Sequence, residues 1–258
     1  MKQVNASVIS SKETMPGVYL TWLDSPEIVT AAQPGQYVMV RCGSHTLRRP
    51  LSIHQVAGDN GKARFALLYA ILGEGTRWLA QRKAGEKVDL LGPLGNGFTV
   101  KPASRDLLLL AGGIGIAPLC FLAQQAVSNG KSVKLLLGAA TAKQLYPKRL
   151  LPRDIEVITA TDDGTAGKKG FITDCLADSV IWADQVFACG PTPMYQSLAA
   201  CKPTRPVQIS LEMRMGCGIG TCYGCTVRTR DGLKQVCTDG PIFDLESVVW
   251  DKLALAGV

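Results

Sequence analysis

The chain changes its periodicity once, at Lys101-Pro102, and no single layer of secondary structure accommodates both halves. Before that point, short runs rich in β-branched and aromatic residues alternate with turn residues: Val4–Ile9, Val18–Leu23, Tyr37–Arg41, Leu51–Val56, Arg64–Ala70 and Lys87–Leu91. Pro34-Gly35, Gly58-Asp59-Asn60-Gly61 and Gly92-Pro93-Leu94-Gly95-Asn96-Gly97 supply the punctuation between them. Six short strands of this kind predict an antiparallel barrel, with one helix over Gly73 to Lys83 crossing between two of them. After the change, apolar runs at Leu107–Leu110, Val133–Leu137, Ile155–Thr159, Val186–Ala188 and Val207–Leu211 are interleaved with helical stretches such as Pro118–Ser128 and Pro193–Cys201. That alternation predicts a parallel sheet flanked by helices.

A third segment begins near Glu212 and carries four cysteines, Cys217, Cys222, Cys225 and Cys237, spaced C-x4-C-x2-C…C. This is the spacing of plant-type 2Fe-2S ligation. Gly216, Gly218, Gly220 and Gly224 separate or flank the thiols, and a backbone wrapped around a compact cluster needs residues that accept positive φ and have no side chain. Four cysteines also suit a structural zinc ion, but only Cys222 and Cys225 form the short hook that zinc sites usually show twice. Disulfides fit less well. Met1 to Ser10 contains no apolar signal core, and Cys42, Cys120, Cys175, Cys189 and Cys201 are scattered without a framework, which agrees with a reducing cytoplasm.

Two glycine turns stand in the middle segment. Gly112-Gly113-Ile114-Gly115-Ile116-Ala117-Pro118 follows an apolar strand and opens a helix, where backbone N–H groups meet a pyrophosphate in dinucleotide sites. Pro118 replaces the last glycine of that pattern, and proline suits a first helical turn. A tight connection with no ligand has the same appearance. Cys189-Gly190-Pro191-Thr192-Pro193-Met194 repeats the arrangement after another strand, and two such turns on one sheet edge favour a ligand. Cys189 has a lining role in this reading.

Arg49-Pro50-Leu51-Ser52, Gly75-Thr76, the Gly112 to Pro118 loop and Cys189-Gly190-Pro191, in that order, resemble the ferredoxin–NADP reductase superfamily. With the cysteine segment and Asp239-Gly240-Pro241 added, the chain resembles, over essentially its whole length, the family of electron-transfer subunits that serve NAD-dependent dihydroorotate dehydrogenases. The resemblance implies a multidomain α+β fold: an FAD-binding β-barrel at 1–100, an NAD-binding α/β domain at 101–211 and a 2Fe-2S module at 212–258. It implies that Arg49, Pro50, Leu51 and Ser52 contact the flavin and its phosphates, that Leu68, Tyr69 and Ala70 border it, and that Gly75-Thr76 bind pyrophosphate. Gly112, Gly113, Gly115, Pro118, Cys189, Gly190 and Pro191 would receive NAD(H). Electrons from dihydroorotate, oxidised in a separate FMN subunit, would pass through the cluster and FAD to NAD+ in pyrimidine biosynthesis, within a heterotetramer of two chains of each kind. Gly138-Ala139-Ala140-Thr141 lacks the acid that a Rossmann site places on the ribose, so the choice of NAD over NADP comes from the resemblance.

Other classes fit less of the chain. The formal charge is +7, yet basic residues stand singly or in short groups such as Arg48-Arg49 and Lys168-Lys169, which makes no nucleic-acid stripe. The apolar stretch Leu107 to Ala123 is broken by Gly112, Gly113, Gly115 and Pro118, so no membrane span is expected. A reductase serving an oxygenase or a sulfur-reducing complex remains an alternative, as does a zinc-stabilised nucleotide-binding module. No proton-abstracting catalytic residue is expected, and His45 and His54 are expected on the barrel surface.

Overall fold

A computed structural model describes residues 1–59 and 62–250. The first part consists of β1 (Lys2–Met15), β2 (Val18–Asp24), α1 (Pro26–Ala31), β3 (Tyr37–Val40), β4 (Arg49–Asp59), β5 (Lys62–Ala70), α2 (Glu74–Ala80) and β6 (Lys87–Leu94). The strands close into an antiparallel barrel in the order β1-β2-β5-β4-β3-β6. β1 runs well beyond the expected Val4–Ile9 because it serves two neighbours, β6 through Lys2 to Ser7 and β2 through Ser7 to Met15. The expected turn residues Asn60 and Gly61 lie outside the described residues.

The second part holds β7 (Asp106–Gly112), α3 (Ile116–Ser128), β8 (Ser132–Ala139), β9 (Glu156–Thr161), β10 (Lys168–Lys169), α4 (Leu176–Trp182), β11 (Gln185–Cys189), α5 (Thr192–Ala200) and β12 (Val207–Ser210). These strands form a parallel sheet in the order β10-β9-β8-β7-β11-β12. The chain winds outward from β7 to β10, then returns to the other side of β7 as β11. The strand order therefore reverses between β7 and β11, and a crevice opens there at the carboxyl ends.

Helix α3 is apolar nearly all round, which a helix covered on one side would not need. Leu119, Cys120, Leu122, Ala123 and Ala126 share a core with β7, β8 and β11, while Phe121 belongs to the barrel core, on the side where α3 packs against β4 and β5. The long apolar stretch is thus a strand, a turn and a helix buried between two layers. Among the described residues, no helix is long and apolar enough to cross a membrane.

The last part contains the hairpin β13 (Thr226–Thr229) and β14 (Gly232–Gln235), then β15 (Ile242–Asp244). β15 does not stay with the cysteines; it pairs antiparallel with β12 and becomes the seventh strand of the large sheet. Asn96, just past β6, ties this return to the barrel: its Nδ2 donates to Asp239 O at 2.8 Å, and its Oδ1 accepts from Ile242 N at 3.0 Å.

Candidate functional site

Strands β4 and β5 pair from Ile53↔Leu67 to Asp59↔Lys62 and no further. Continuing that ladder would set Ser52, Leu51 and Pro50 opposite Leu68, Tyr69 and Ala70. Instead Arg49 to Ser52 pair only with β3, and Leu68 to Ala70 only with β2. The barrel wall is split along this stretch, leaving main-chain donors and acceptors of both lips facing a gap. Both groups of barrel residues expected around a flavin stand on these lips.

The gap meets the start of α2. A Cβ on Gly75 would lie 2.9 Å from Arg49 Nε, so the guanidinium rests against the bare backbone of the helix N-terminus. Thr76 is committed locally: its Oγ1 accepts from Leu72 N at 3.0 Å and donates to Gly73 O at 3.1 Å, fixing the turn before Gly75. Arg48 differs from its neighbour, pairing with Asp89 at 2.8 Å and donating to Met39 O. Tyr69 turns its ring into the barrel, where the hydroxyl lies 2.9 Å from Thr21 Oγ1, so only its main chain reaches the lip.

The two glycine turns meet at the switch point. A Cβ on Gly115 would stand 2.0 Å from Cys189 O, and one on Gly112 would stand 2.8 Å from Pro191 Cδ. Gly113 takes φ +55°, the left-handed region. Pro118 falls in the first turn of α3, where a missing N–H removes no intrahelical bond. Gly190 N donates to the Tyr195 hydroxyl at 2.9 Å, and that hydroxyl donates to Ser210 O at 2.6 Å. Cys189 is buried, which pushes its thiol well up, and it donates to Glu212 Oε1 at 3.7 Å. Glu212 keeps an exposed surface while its carboxyl lies in a crevice that raises it above the ordinary carboxylate range. In the sequence Glu212 is only a boundary; its contact with Cys189 follows from the parallel pairing of β11 with β12, a juxtaposition that no motif marks. Past the end of β9, Asp162 and Asp163 stand beside the turn after β8 that lacks an acid, their N–H groups donating to Ala139 O and Ala140 O.

The cysteine loop is folded around sulfur. Cys217 Sγ accepts from Ile219 N at 3.4 Å and Thr221 N at 3.3 Å, Cys222 Sγ from Cys217 N at 3.5 Å, and Cys225 Sγ from Cys237 N at 3.4 Å. Partial burial opposes ionisation of Cys217, but the donors around its sulfur outweigh it and hold the thiol down at about 6. Cys237 is pushed up to about 11 by burial and by the neighbouring Cys225. Among the described residues, no three His, Cys, Asp or Glu side chains are drawn into a metal-ion geometry. The contacts instead set Cys217 beside Cys222 and Cys225 beside Cys237, and a Cβ on Gly216 would stand only 3.2 Å from Cys222 Sγ. Soft thiol donors in two pairs, approached by main-chain N–H groups, fit a sulfur-bridged two-iron cluster, whose negative charge such donors stabilise.

This loop sits on the barrel. The Tyr37 hydroxyl is shared between Gly218 O at 3.1 Å and Cys237 O at 3.2 Å, and Gly218, at φ +73°, lies against Met39. Tyr37 and Met39 belong to β3, whose other neighbour β4 forms a lip of the split; Tyr37 pairs with Ser52 itself. The sequence expectation for His54 is corrected: it is fully buried, with Nδ1 2.9 Å from Ala117 O and Nε2 2.8 Å from Tyr146 Oη. Strand β4 is irregular between Ile53 and Gln55, so alternation along it does not reveal which way His54 points.

Comparison with known proteins agrees with this layout. Residues 212–249 match the family "Iron-sulfur cluster binding domain of dihydroorotate dehydrogenase B", and residues 109–200 match "Oxidoreductase NAD-binding domain". The chain is 39% identical to the dihydroorotate dehydrogenase B (NAD(+)) electron transfer subunit of Geobacillus sp. (strain WCH70), covering 96% of this chain and 99% of that one. It is 37% identical to the protein of the same name from Desulforamulus reducens, covering 97% and 99%. A solved NADH-dependent reduced ferredoxin-NADP oxidoreductase, described in connection with flavin-based electron bifurcation, superposes with TM-score 0.85 at 30% identity, covering 97% of this chain and 91% of that one. The ferredoxin reductase of carbazole 1,9a-dioxygenase, at 20% identity and TM-score 0.68 over 81% of this chain and 68% of that one, shares the fold.

Proposed function

The chain belongs to the family of dihydroorotate dehydrogenase B (NAD(+)) electron transfer subunits, and from that premise we propose that it carries electrons from a dihydroorotate-oxidising FMN subunit to NAD+ in pyrimidine biosynthesis. It works in the reducing cytoplasm, in a heterotetramer of two chains of each kind; the nine cysteines, all free, suit that compartment. Its working parts are a barrel at 1–100 for FAD, an α/β domain at 101–211 for NAD(H) and a 2Fe-2S module at 212–258. When bound, these groups supply the exchange between a two-electron hydride carrier and a one-electron cluster, with flavin competent in both regimes.

The observation that carries this reading is the split between β4 and β5. Ser52 offers a hydroxyl to a flavin ring from one lip, and Leu68, Tyr69 and Ala70 offer main-chain groups from the other. Pro50 and Leu51 form the first lip. Arg49 and Gly75 make a cationic, side-chain-free corner for pyrophosphate, which Thr76 holds in shape. At the switch point, Gly112, Gly113 and Gly115 bring main-chain N–H groups to the NAD(H) phosphates. Pro118 starts the helix behind them, and Cys189, Gly190 and Pro191 form the facing wall. Cys217, Cys222, Cys225 and Cys237 hold the cluster, and Ile219, Tyr223 and Leu233, apolar yet exposed in the same segment, form the face toward the catalytic subunit.

One anaerobic experiment tests the reading. NADH mixed with the purified chain in a stopped-flow instrument is expected to bleach flavin and cluster absorbance together, and Cys222→Ser to leave only the flavin change. A flavin that NADH does not bleach overturns the proposal. The 30% identical oxidoreductase favours a second reading, the same frame serving another acceptor. Co-purification with a dihydroorotate-oxidising subunit decides between the two.

A further inference from the structure

The buried imidazole of His54 plays no part in the function described so far, yet it makes two contacts from the barrel to the nucleotide-binding half. We propose that His54 is a positioning residue for hydride transfer: it fixes the flavin-lining stretch Arg49 to Ser52 of β4 relative to the dinucleotide loop Gly112 to Pro118. This rests on the reading of the two sites given above.

The hydrogen-bond chemistry specifies one tautomer. Ala117 O can only accept, so Nδ1 carries the proton, and Nε2 accepts from the Tyr146 hydroxyl. Burial keeps the ring neutral, with its pKa down at about 4, so this arrangement persists at neutral pH. The Tyr146 ring packs edge-on against the imidazole, centroids 5.3 Å apart at 72°. Both partners lie in the nucleotide-binding half.

Location gives the contact its meaning. His54 follows Ser52 by two residues, and Ala117 follows Gly115 by two, in the first turn of α3. The next residues of β4 dock on the same half: Gln124 Nε2 donates to Val56 O at 2.7 Å, and Gln55 Nε2 donates to Leu150 O at 3.4 Å. One strand therefore lines the split with residues 49–52 and grips the neighbouring half with residues 54–56. Hydride transfer needs donor and acceptor within about 3.5 Å, and a misplacement of about 1 Å costs on the order of a hundredfold in rate. A residue that sets this alignment should alter the rate of the chemical step more than the affinity for nucleotide.

The test is anaerobic stopped-flow reduction of the holoprotein flavin over a range of NADH concentrations. His54→Leu is expected to lower the limiting rate at saturating NADH about tenfold or more, while flavin content and the apparent Kd for NADH change less than about threefold. His54→Gln, which can donate to Ala117 O and accept from Tyr146, is expected to recover most of the loss. A limiting rate unchanged in His54→Leu, or a loss that Gln does not relieve, overturns the positioning role. If His54→Leu does not fold, Tyr146→Phe decides, since it removes one arm and keeps the ring: a several-fold slower limiting rate supports the proposal and an unchanged one overturns it. Wild-type flavin that NADH fails to bleach removes the premise, a result distinct from any variant's behaviour.

Discussion

Gly115 shows how much one missing methyl group decides. With Cys189 O only 2.0 Å from where a Cβ would stand, Gly115→Ala must push apart the two turns that form the switch-point crevice. We expect a stability loss of about 2 kcal/mol or more and an NADH affinity too weak to measure by flavin quenching, with flavin content preserved because the barrel is untouched. His54 makes a second prediction. Its folded pKa of about 4 lies below the unfolded value of 6.5, so the unfolded chain binds the extra proton first. Its contribution is fully present above about pH 6.5 and is lost as pH falls toward 4, on the order of 3 kcal/mol across that window. Urea unfolding at about pH 7 and about pH 5 should show a steeper fall for wild type than for His54→Leu; equal slopes would contradict the assignment.

At the scale of elements, β3 and β4 carry the assembly, β3 supporting the cysteine loop and β4 lining the split. Tyr37→Phe removes the hydroxyl shared by Gly218 O and Cys237 O while keeping the ring. The expected cost is about 1–2 kcal/mol, read as faster cluster loss to a chelator at unchanged flavin content. Much of this was legible in the chain. The change of period at Lys101-Pro102 marked barrel and sheet, and the cysteine spacing pointed to its ligand without any fold. What the sequence hid are contacts between distant segments. The split appears only when pairing registers are compared, the inward turn of His54 follows from a strand irregularity, and β15 is a three-residue strand too short to carry a pattern.

For the whole molecule, the three parts converge on the β3–β4 pair, so electrons need not cross a flexible linker between them. In the proposed function, the exposed apolar residues of the cysteine segment form the face toward the catalytic subunit. Leu233, 69% exposed on β14 and not itself a ligand, is the cleanest probe. Leu233→Glu should abolish co-purification with the catalytic subunit while leaving the cluster spectrum and NADH-driven flavin bleaching as in wild type; retention of the complex would place the docking face elsewhere. The return of β15 to the edge of the large sheet has a consequence for protein engineering and for gene evolution alike. A cassette cut at residue 212 carries off the strand that covers β12, so grafting this iron–sulfur unit onto another reductase, or deleting it to leave a minimal diaphorase, requires a substitute for three residues that hold no cofactor.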